Sequence, residues 1–245
     1  MTKVVVVSDS PKKFEYTIKN KLNAELIKLE NTVINVEDIM DKFRDSVVLL
    51  RVYNMYKLVP IAAISKMSSP RLVINNPDIV IKCVCREVLY EYLRKIGVPT
   101  PKRYYVYDIC NVSDVVDKVK GRTLLLTFTK SDIDGIVESP QALVSAIEHR
   151  FYMSAEDVKV NLFIPNLDNV MDILIIGEEI VTKEVPEEYL NFVKELIKKL
   201  GFGIYSIKLA QQEGNIVMLD LDPVPELYEE EHVDLAISFL RRLTS

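Results

Sequence analysis

Three short runs early in the chain, residues 3–7, 46–51 and 71–74, have interiors that are apolar at every position: Val4-Val5-Val6-Val7, Val47-Val48-Leu49-Leu50 and Leu72-Val73-Ile74. A strand with one face in water alternates polar and apolar residues. A strand buried on both faces does not, and sheets buried on both faces are parallel ones covered by helices. Helical patterns separate the runs. Ser8-Asp9-Ser10-Pro11 offers an N-cap and a first-turn proline for a helix to about Leu22. Further helices are expected over 37–43 and 58–66, and two more apolar runs over 25–29 and 32–36. Strands alternating with helices predict an open parallel sheet. Arg51, at the end of its strand, sits where such a sheet has its ligand crevice. The simpler reading, a solvated strand-end arginine, is the one expected.

With 245 residues, 49% apolar and 27% charged, the chain can bury a large core and does not have the composition of a disordered one. A net charge of −5 argues against nucleic acid as the main partner. No apolar run is long enough to span a bilayer, and the N-terminus has a strand pattern rather than that of a signal peptide. A soluble cytoplasmic protein is expected, with no membrane partner. Cys83 and Cys85 fall at i and i+2 of an expected helix and do not face each other, so buried thiols fit better than a metal site. His149 and His232 have no nucleophile or ligand partner nearby in sequence. Seven glycines, nowhere clustered, supply no phosphate-cradling loop.

Residues 75–102, NNPDIVIKCVCREVLYEYLRKIGVPTPK, form the joint of the chain. Asn75-Asn76-Pro77 breaks the preceding strand. Ile79, Cys83, Arg86, Tyr90 and Leu93 recur at helical spacing, Gly97 ends that helix, and Pro99 and Pro101 prevent its return. This stretch resembles the joint between the first and central domains of the ATP-grasp carboxylate–amine ligases, nearest to the carrier-protein ligase of lysine biosynthesis and the ribosomal-protein glutamate ligase. The family pattern is Asn-x-Pro, a helix with Cys-Gly-Asp-Lys, then Gly-apolar-Pro-x-Pro. Here Asn75, Pro77, Cys83, Gly97, Pro99 and Pro101 match, and Val84, Cys85 and Arg86 replace Gly-Asp-Lys.

The same contrast between a kept scaffold and altered chemical residues continues downstream. The resemblance sets a phosphate lysine and a glycine-rich lid after the strand at 122–127. This chain has Thr127, then Lys130, Asp132, Asp134 and a single Gly135. The aspartates would repel a triphosphate, while Lys130 could still turn inward. At the adenine edge the chain has Asn161-Leu162-Phe163-Ile164, with Phe163 able to stack or simply to pack. A hairpin over 171–181 turns at Gly177-Glu178 and keeps Asp172, but Leu174 stands at the family's acyl-phosphate arginine. The long substrate loop that follows in the family is missing, and the chain goes directly to an amphipathic helix over 186–200. A second hairpin turns at Glu213-Gly214. At the family's magnesium ligands it carries Lys208, Asp220 and Asp222. Lys208 could pair with these carboxylates in place of the metal. A helix closes the chain after His232.

These residues lead to the following expectations. The fold is α/β, an ATP-grasp architecture with a Rossmann-like N-terminal domain, in compact form without the lid loop. Its domains are 1–98, 99–165 and 166–245. Remnant nucleotide contacts are Arg86, Lys130 and Phe163, and remnant metal ligands are Asp220 and Asp222. Each lost charge stabiliser costs about 3 kcal/mol of transition-state stabilisation. The first reading is therefore a ligase-like protein that has lost catalysis, needs no cofactor, and acts as a homo-oligomeric partner of an active ligase or its carrier protein. The alternative is a divergent ATP- and magnesium-dependent ligase acting on an amino-acid or carrier-protein carboxylate.

Overall fold

The computed structural model describes residues 2–30, 33–106, 114, 118, 121–127, 135–153 and 161–244. The expected parallel sheet is present: β1 (Val4–Ser8), β2 (Glu25–Lys28), β3 (Val47–Arg51) and β4 (Leu72–Ile74) lie in the order β2-β1-β3-β4, all parallel. Both faces are buried. Val4, Val6, Val47 and Leu49 pack with Phe14 and Ile18 of α1 (Lys13–Leu22) and with Ala236, Ile237 and Leu240 of α8 (Glu230–Thr244). Val5, Val7, Val48 and Leu50 face the other way, against Ile39 and Phe43 of α2 (Val36–Phe43) and Leu58, Ile61 and Ala62 of α3 (Met55–Met67). Each such side chain contributes about 1.5–3 kcal/mol when taken fully out of water, which is why the interiors of these runs are apolar throughout.

Two details differ from the sequence reading. Helix α1 begins after Lys12, and its first turn is closed by the Glu15 carboxylate, which accepts the Lys12 backbone N–H at 2.7 Å. Asp9 instead accepts the backbone N–H groups of Tyr53 (2.9 Å) and Asn54 (3.1 Å), tying the ends of β1 and β3 together. The single helix expected over 79–93 is two: α4 (Pro77–Lys82), capped by Asn76, and α5 (Arg86–Lys95). Cys85 between them is extended (φ −120°, ψ 118°). The β-branched run Val80, Ile81 and Val84 has low helix propensity and offers little resistance to this break.

The chain divides into two compact units. Met1–Val84, Asp172–Ile207 and Leu221–Ser245 form the first, and Cys85–Met171 with Lys208–Asp220 the second. The second contains an antiparallel sheet of β5 (Tyr104–Val106), β6 (Thr123–Thr127), β7 (Gly135–Val137) and β8 (Asn161–Ile164) in the order β5-β8-β6-β7. Val106, Leu125 and Phe163 pack on Leu143 and Ile147 of α6 (Pro140–Met153). A further sheet has the order β10-β9-β11-β12, from β9 (Leu167–Gly177), β10 (Glu179–Ile180), β11 (Gly203–Gln212) and β12 (Asn215–Asp222). Helix α7 (Glu187–Leu200) buries Val193, Leu196, Ile197 and Leu200 as its amphipathic pattern suggests, and at its start it is Tyr189 rather than Leu190 that is fully buried.

Both expected hairpins form. Glu213 (φ 53°) and Gly214 (φ 79°) make the left-handed two-residue turn that matches strand twist. Gly177 turns the other hairpin at φ +68°, and a Cβ there would lie 2.8 Å from the Phe239 ring of α8. Gly177→Ala is therefore expected to cost about 2–3 kcal/mol, through positive φ and overpacking together. The urea midpoint measures it.

Candidate active site

Asp220 and Asp222 alternate along β12, so their side chains leave the strand on one face. Both are partly buried. Arg86 is the first helical residue of α5 and is 2% exposed. Its Nη2 lies 3.4 Å from Asp220 Oδ2. This guanidinium supplies a counter-charge of the kind for which the sequence suggested Lys208, which is partly buried on β11. Asp222 Oδ1 accepts the Val224 backbone N–H at 2.9 Å. Among the described residues no three His, Cys, Asp or Glu side chains converge to hold a metal. Two carboxylates are nonetheless a sufficient protein contribution for magnesium, which keeps several waters and takes its remaining oxygens from substrate phosphates.

One turn after Arg86, Tyr90 donates its hydroxyl to the Leu219 carbonyl at 2.6 Å. Burial, with the Asp220 charge beside it, raises that hydroxyl's pKa far above its ordinary value. Glu87 meets Arg103 and Tyr105 of the segment leading through β5. Arg103 Nη2 donates to Glu87 Oε2 at 2.6 Å, Arg103 Nε to Glu87 Oε1, and the Tyr105 hydroxyl to the same Oε1. The Arg103 bond, aided by that of Tyr105 and opposed by burial, holds the Glu87 carboxyl below its ordinary 4.5. A carboxyl depressed in the folded state stabilises it above the unfolded value, and that contribution is lost as pH falls through the folded one. Wild type should therefore lose more stability than Glu87→Gln on acidification below about pH 4.5, read by thermal melts across pH.

In the first unit Arg51 is buried rather than solvated, 1% exposed. Its Nε donates to Glu15 Oε1 at 2.9 Å, and its Nη2 to the Tyr53 hydroxyl at 3.0 Å and the Pro225 carbonyl at 2.7 Å. The Phe14 ring lies 5.0 Å beneath it. Tyr53 donates to Glu15 Oε1 at 2.9 Å. Burial, with the Glu15 charge adding to it and the Arg51 charge opposing, pushes its hydroxyl up to about 12.

No protein-family model and no curated protein matches this sequence. Solved structures do match along its whole length. A RimK-domain ATP-grasp protein from Sphaerobacter thermophilus is 14% identical over 97% of this chain and 99% of its own, with a TM-score of 0.69. The ATP-grasp ligase PsnB, solved with minimal precursor, magnesium and ADP, is 16% identical over 98% of both chains, with a TM-score of 0.63. D-alanine–D-alanine ligase from Bacillus anthracis, solved with ATP, is 12% identical over 100% of this chain and 96% of its own, with a TM-score of 0.66. The chain has the ATP-grasp fold.

This result corrects the expectation that no cofactor is involved. Structures of the ATP-grasp fold similar to this one hold magnesium with ADP, and ATP. Guanidinium and carboxylate groups are the donor types that phosphate oxygens and magnesium take, and Arg86 and Asp220 supply one of each. The other nucleotide candidates fare differently. Phe163 is 1% exposed and stacked on Tyr104 at 5.2 Å, inside the core against α6, so its ring is spent on packing. Lys130, Asp132 and Asp134 lie outside the described residues. Leu174 packs against the apolar core of the first unit. The sequence reading missed the Glu87–Arg103–Tyr105 cluster. Its one signal was the polar alternation Arg103, Tyr105 after the proline exit, whose partner on α5 is 16 residues from Arg103. No helix among the described residues is long and apolar enough to cross a membrane.

Proposed function

We propose that this chain is a divergent ATP- and magnesium-dependent ligase that joins a carboxylate to an amine. The observation that carries the proposal is the buried Arg86 guanidinium directed at Asp220 on β12. A buried arginine beside one carboxylate of a two-carboxylate strand end is the charge pattern that a magnesium–triphosphate needs: cation for phosphate, anions for metal. The full-length match to ligases of this fold supports the same reading. In the reaction the γ-phosphoryl group of ATP moves to a carboxylate oxygen and ADP leaves. The amine nitrogen then attacks the acyl carbon, phosphate departs, and the amine loses a proton to give the amide. Arg86 would bind and orient the phosphates, and Asp220 and Asp222 would hold the cation. Magnesium, if bound, would supply charge neutralisation to the phosphates.

A second reading, an ATP-grasp protein that binds without turnover, is favoured by Leu174, a partly buried aliphatic side chain packed against the core where the ligase pattern calls for an arginine. Under it the partner would be an active ligase or a carrier protein, and the assembly a homodimer. Calorimetry with ATP, with and without magnesium, tests the first reading, together with ADP release in mixtures of amino acids. Magnesium-dependent binding is expected, weakened about 100-fold or more by Arg86→Met. ADP should form only when both a carboxylate and an amine are supplied. Binding without ADP release would select the second reading. No binding at millimolar ATP, and no rise in melting temperature, would remove both nucleotide-based readings.

A further inference from the structure

Helix α5 starts without a side-chain cap: Cys85 at its N-cap makes no capping hydrogen bond. A helix N-terminus left uncapped frays, and its first residue does not keep a fixed direction. Yet Arg86 is that first residue and is among the most buried charged groups of the chain, 2% exposed. What fixes it is a grip on the next residue. Glu87 receives three hydrogen bonds from the segment through β5: two from the Arg103 fork and one from Tyr105. Arg103 also donates through Nη1 to the Pro101 carbonyl at 3.1 Å, and its guanidinium lies 4.6 Å over the Tyr90 ring. Tyr90 in turn is bonded to Leu219, the residue before Asp220. The N-terminal half of α5 is thus held from two sides, by the β5 segment through Glu87 in the first turn and by β12 through Tyr90 one turn on.

We propose that Arg103 is a positioning residue: through Glu87 and Tyr90 it sets the reach of Arg86 toward Asp220 and any phosphate bound there. The consequence for nucleotide rests on the ligase reading above; the control over Arg86 does not. Arg103 is not a second phosphate ligand. Nε and Nη2 are both committed to the Glu87 carboxylate, which neutralises its charge. The fork geometry matters because only a planar guanidinium meets both carboxylate oxygens at once. Sliding a helix by one residue moves its side chains about 1.5 Å, and misplacement on that scale in a supporting shell weakens binding by about ten- to 100-fold.

The test uses the whole chain with two readouts. The first is calorimetric affinity for magnesium–ATP. The second is hydrogen exchange of the Arg86 Nε–H by NMR without nucleotide. Arg103→Met and Arg103→Lys should each weaken affinity about tenfold or more and speed the exchange by a similar factor, lysine failing to rescue because it lacks the fork. Arg94→Met, at an exposed arginine of the same helix that pairs with Glu91 and reaches Glu87 through its charge alone, serves as the control, with less than a twofold change expected in either readout. If Arg103→Met does not fold, Tyr105→Phe removes one of the three bonds to Glu87 and carries the same readouts. Wild-type affinity together with unchanged Arg86 exchange in these variants overturns the proposal. If wild type itself does not bind magnesium–ATP, the ligase reading fails. The exchange rate alone then decides whether Arg103 controls Arg86: faster exchange supports it and an unchanged rate overturns it.

Discussion

Replacing Asn75 with alanine is expected to lower the stability of the chain by about 3–5 kcal/mol, among the largest effects of any single substitution. Asn75 follows β4 and is 2% exposed. Its Nδ2 donates to the Ile204 carbonyl at 2.7 Å and the Pro223 carbonyl at 2.5 Å, and its Oδ1 accepts the Ile204 backbone N–H at 2.5 Å. One amide thus joins the end of a parallel strand to the start of β11 and the residue after β12, all within the first unit. Alanine would leave three main-chain groups without this partner in a place closed to water, and each such group costs about 1–3 kcal/mol. The closeness also depends on Gly203, where a Cβ would lie 2.3 Å from Asn75 Oδ1. Asn75→Asp keeps the size but turns a carboxylate oxygen toward two carbonyls. Its loss should match or exceed that of alanine, which distinguishes hydrogen bonding from mere filling of space. Urea unfolding with an unchanged slope measures both. A loss under about 1 kcal/mol for either variant would show that these groups find other partners.

Arg51→Met should cost about as much, 3–5 kcal/mol, for a different reason. Glu15 is 0% exposed, and Arg51 is its charge partner at 2.9 Å. Methionine preserves most of the side-chain volume over Phe14 but leaves the Glu15 carboxylate, among the described residues, with the Tyr53 hydroxyl and the Lys12 N–H. An uncompensated buried charge is more expensive than the intact pair is favourable. Hence the double variant Arg51→Met, Glu15→Leu should recover most of the loss, giving a coupling of about 2–3 kcal/mol in a double-mutant cycle. Additive losses would mean that the arginine acts through the Pro225 carbonyl rather than through Glu15.

The scaffold was legible in the chain because local patterns report it directly. Val4–Val7 and Val47–Leu50 could only be strands buried on two faces, the α7 apolar stripe could only be a packed helix, and Glu213-Gly214 could only be a tight turn. Such signals arise from neighbours in sequence, where periodicity and backbone preference act. The joint helix was misjudged because its periodicity continues across Cys83–Cys85 while the backbone does not. An extended Cys85 starts a new helix, and helical spacing alone does not encode that break.

The sequence by itself determined an α/β chain with parallel strands first and antiparallel hairpins later; the family resemblance pointed separately to Arg86 as a nucleotide contact and to Asp220 and Asp222 as metal ligands, with Lys208 as their expected counter-charge. Only the tertiary structure decided which of its charges meet. Arg51 finds Glu15 across 36 residues, and Arg86 finds Asp220 across 134. It also decided that Arg103 grips Glu87 and that Phe163 belongs to the core rather than to a ligand. A charged side chain carries no periodic mark of its partner. The partner is set by where packed strands and helices bring two distant backbones together, and by the cost of burying either charge alone.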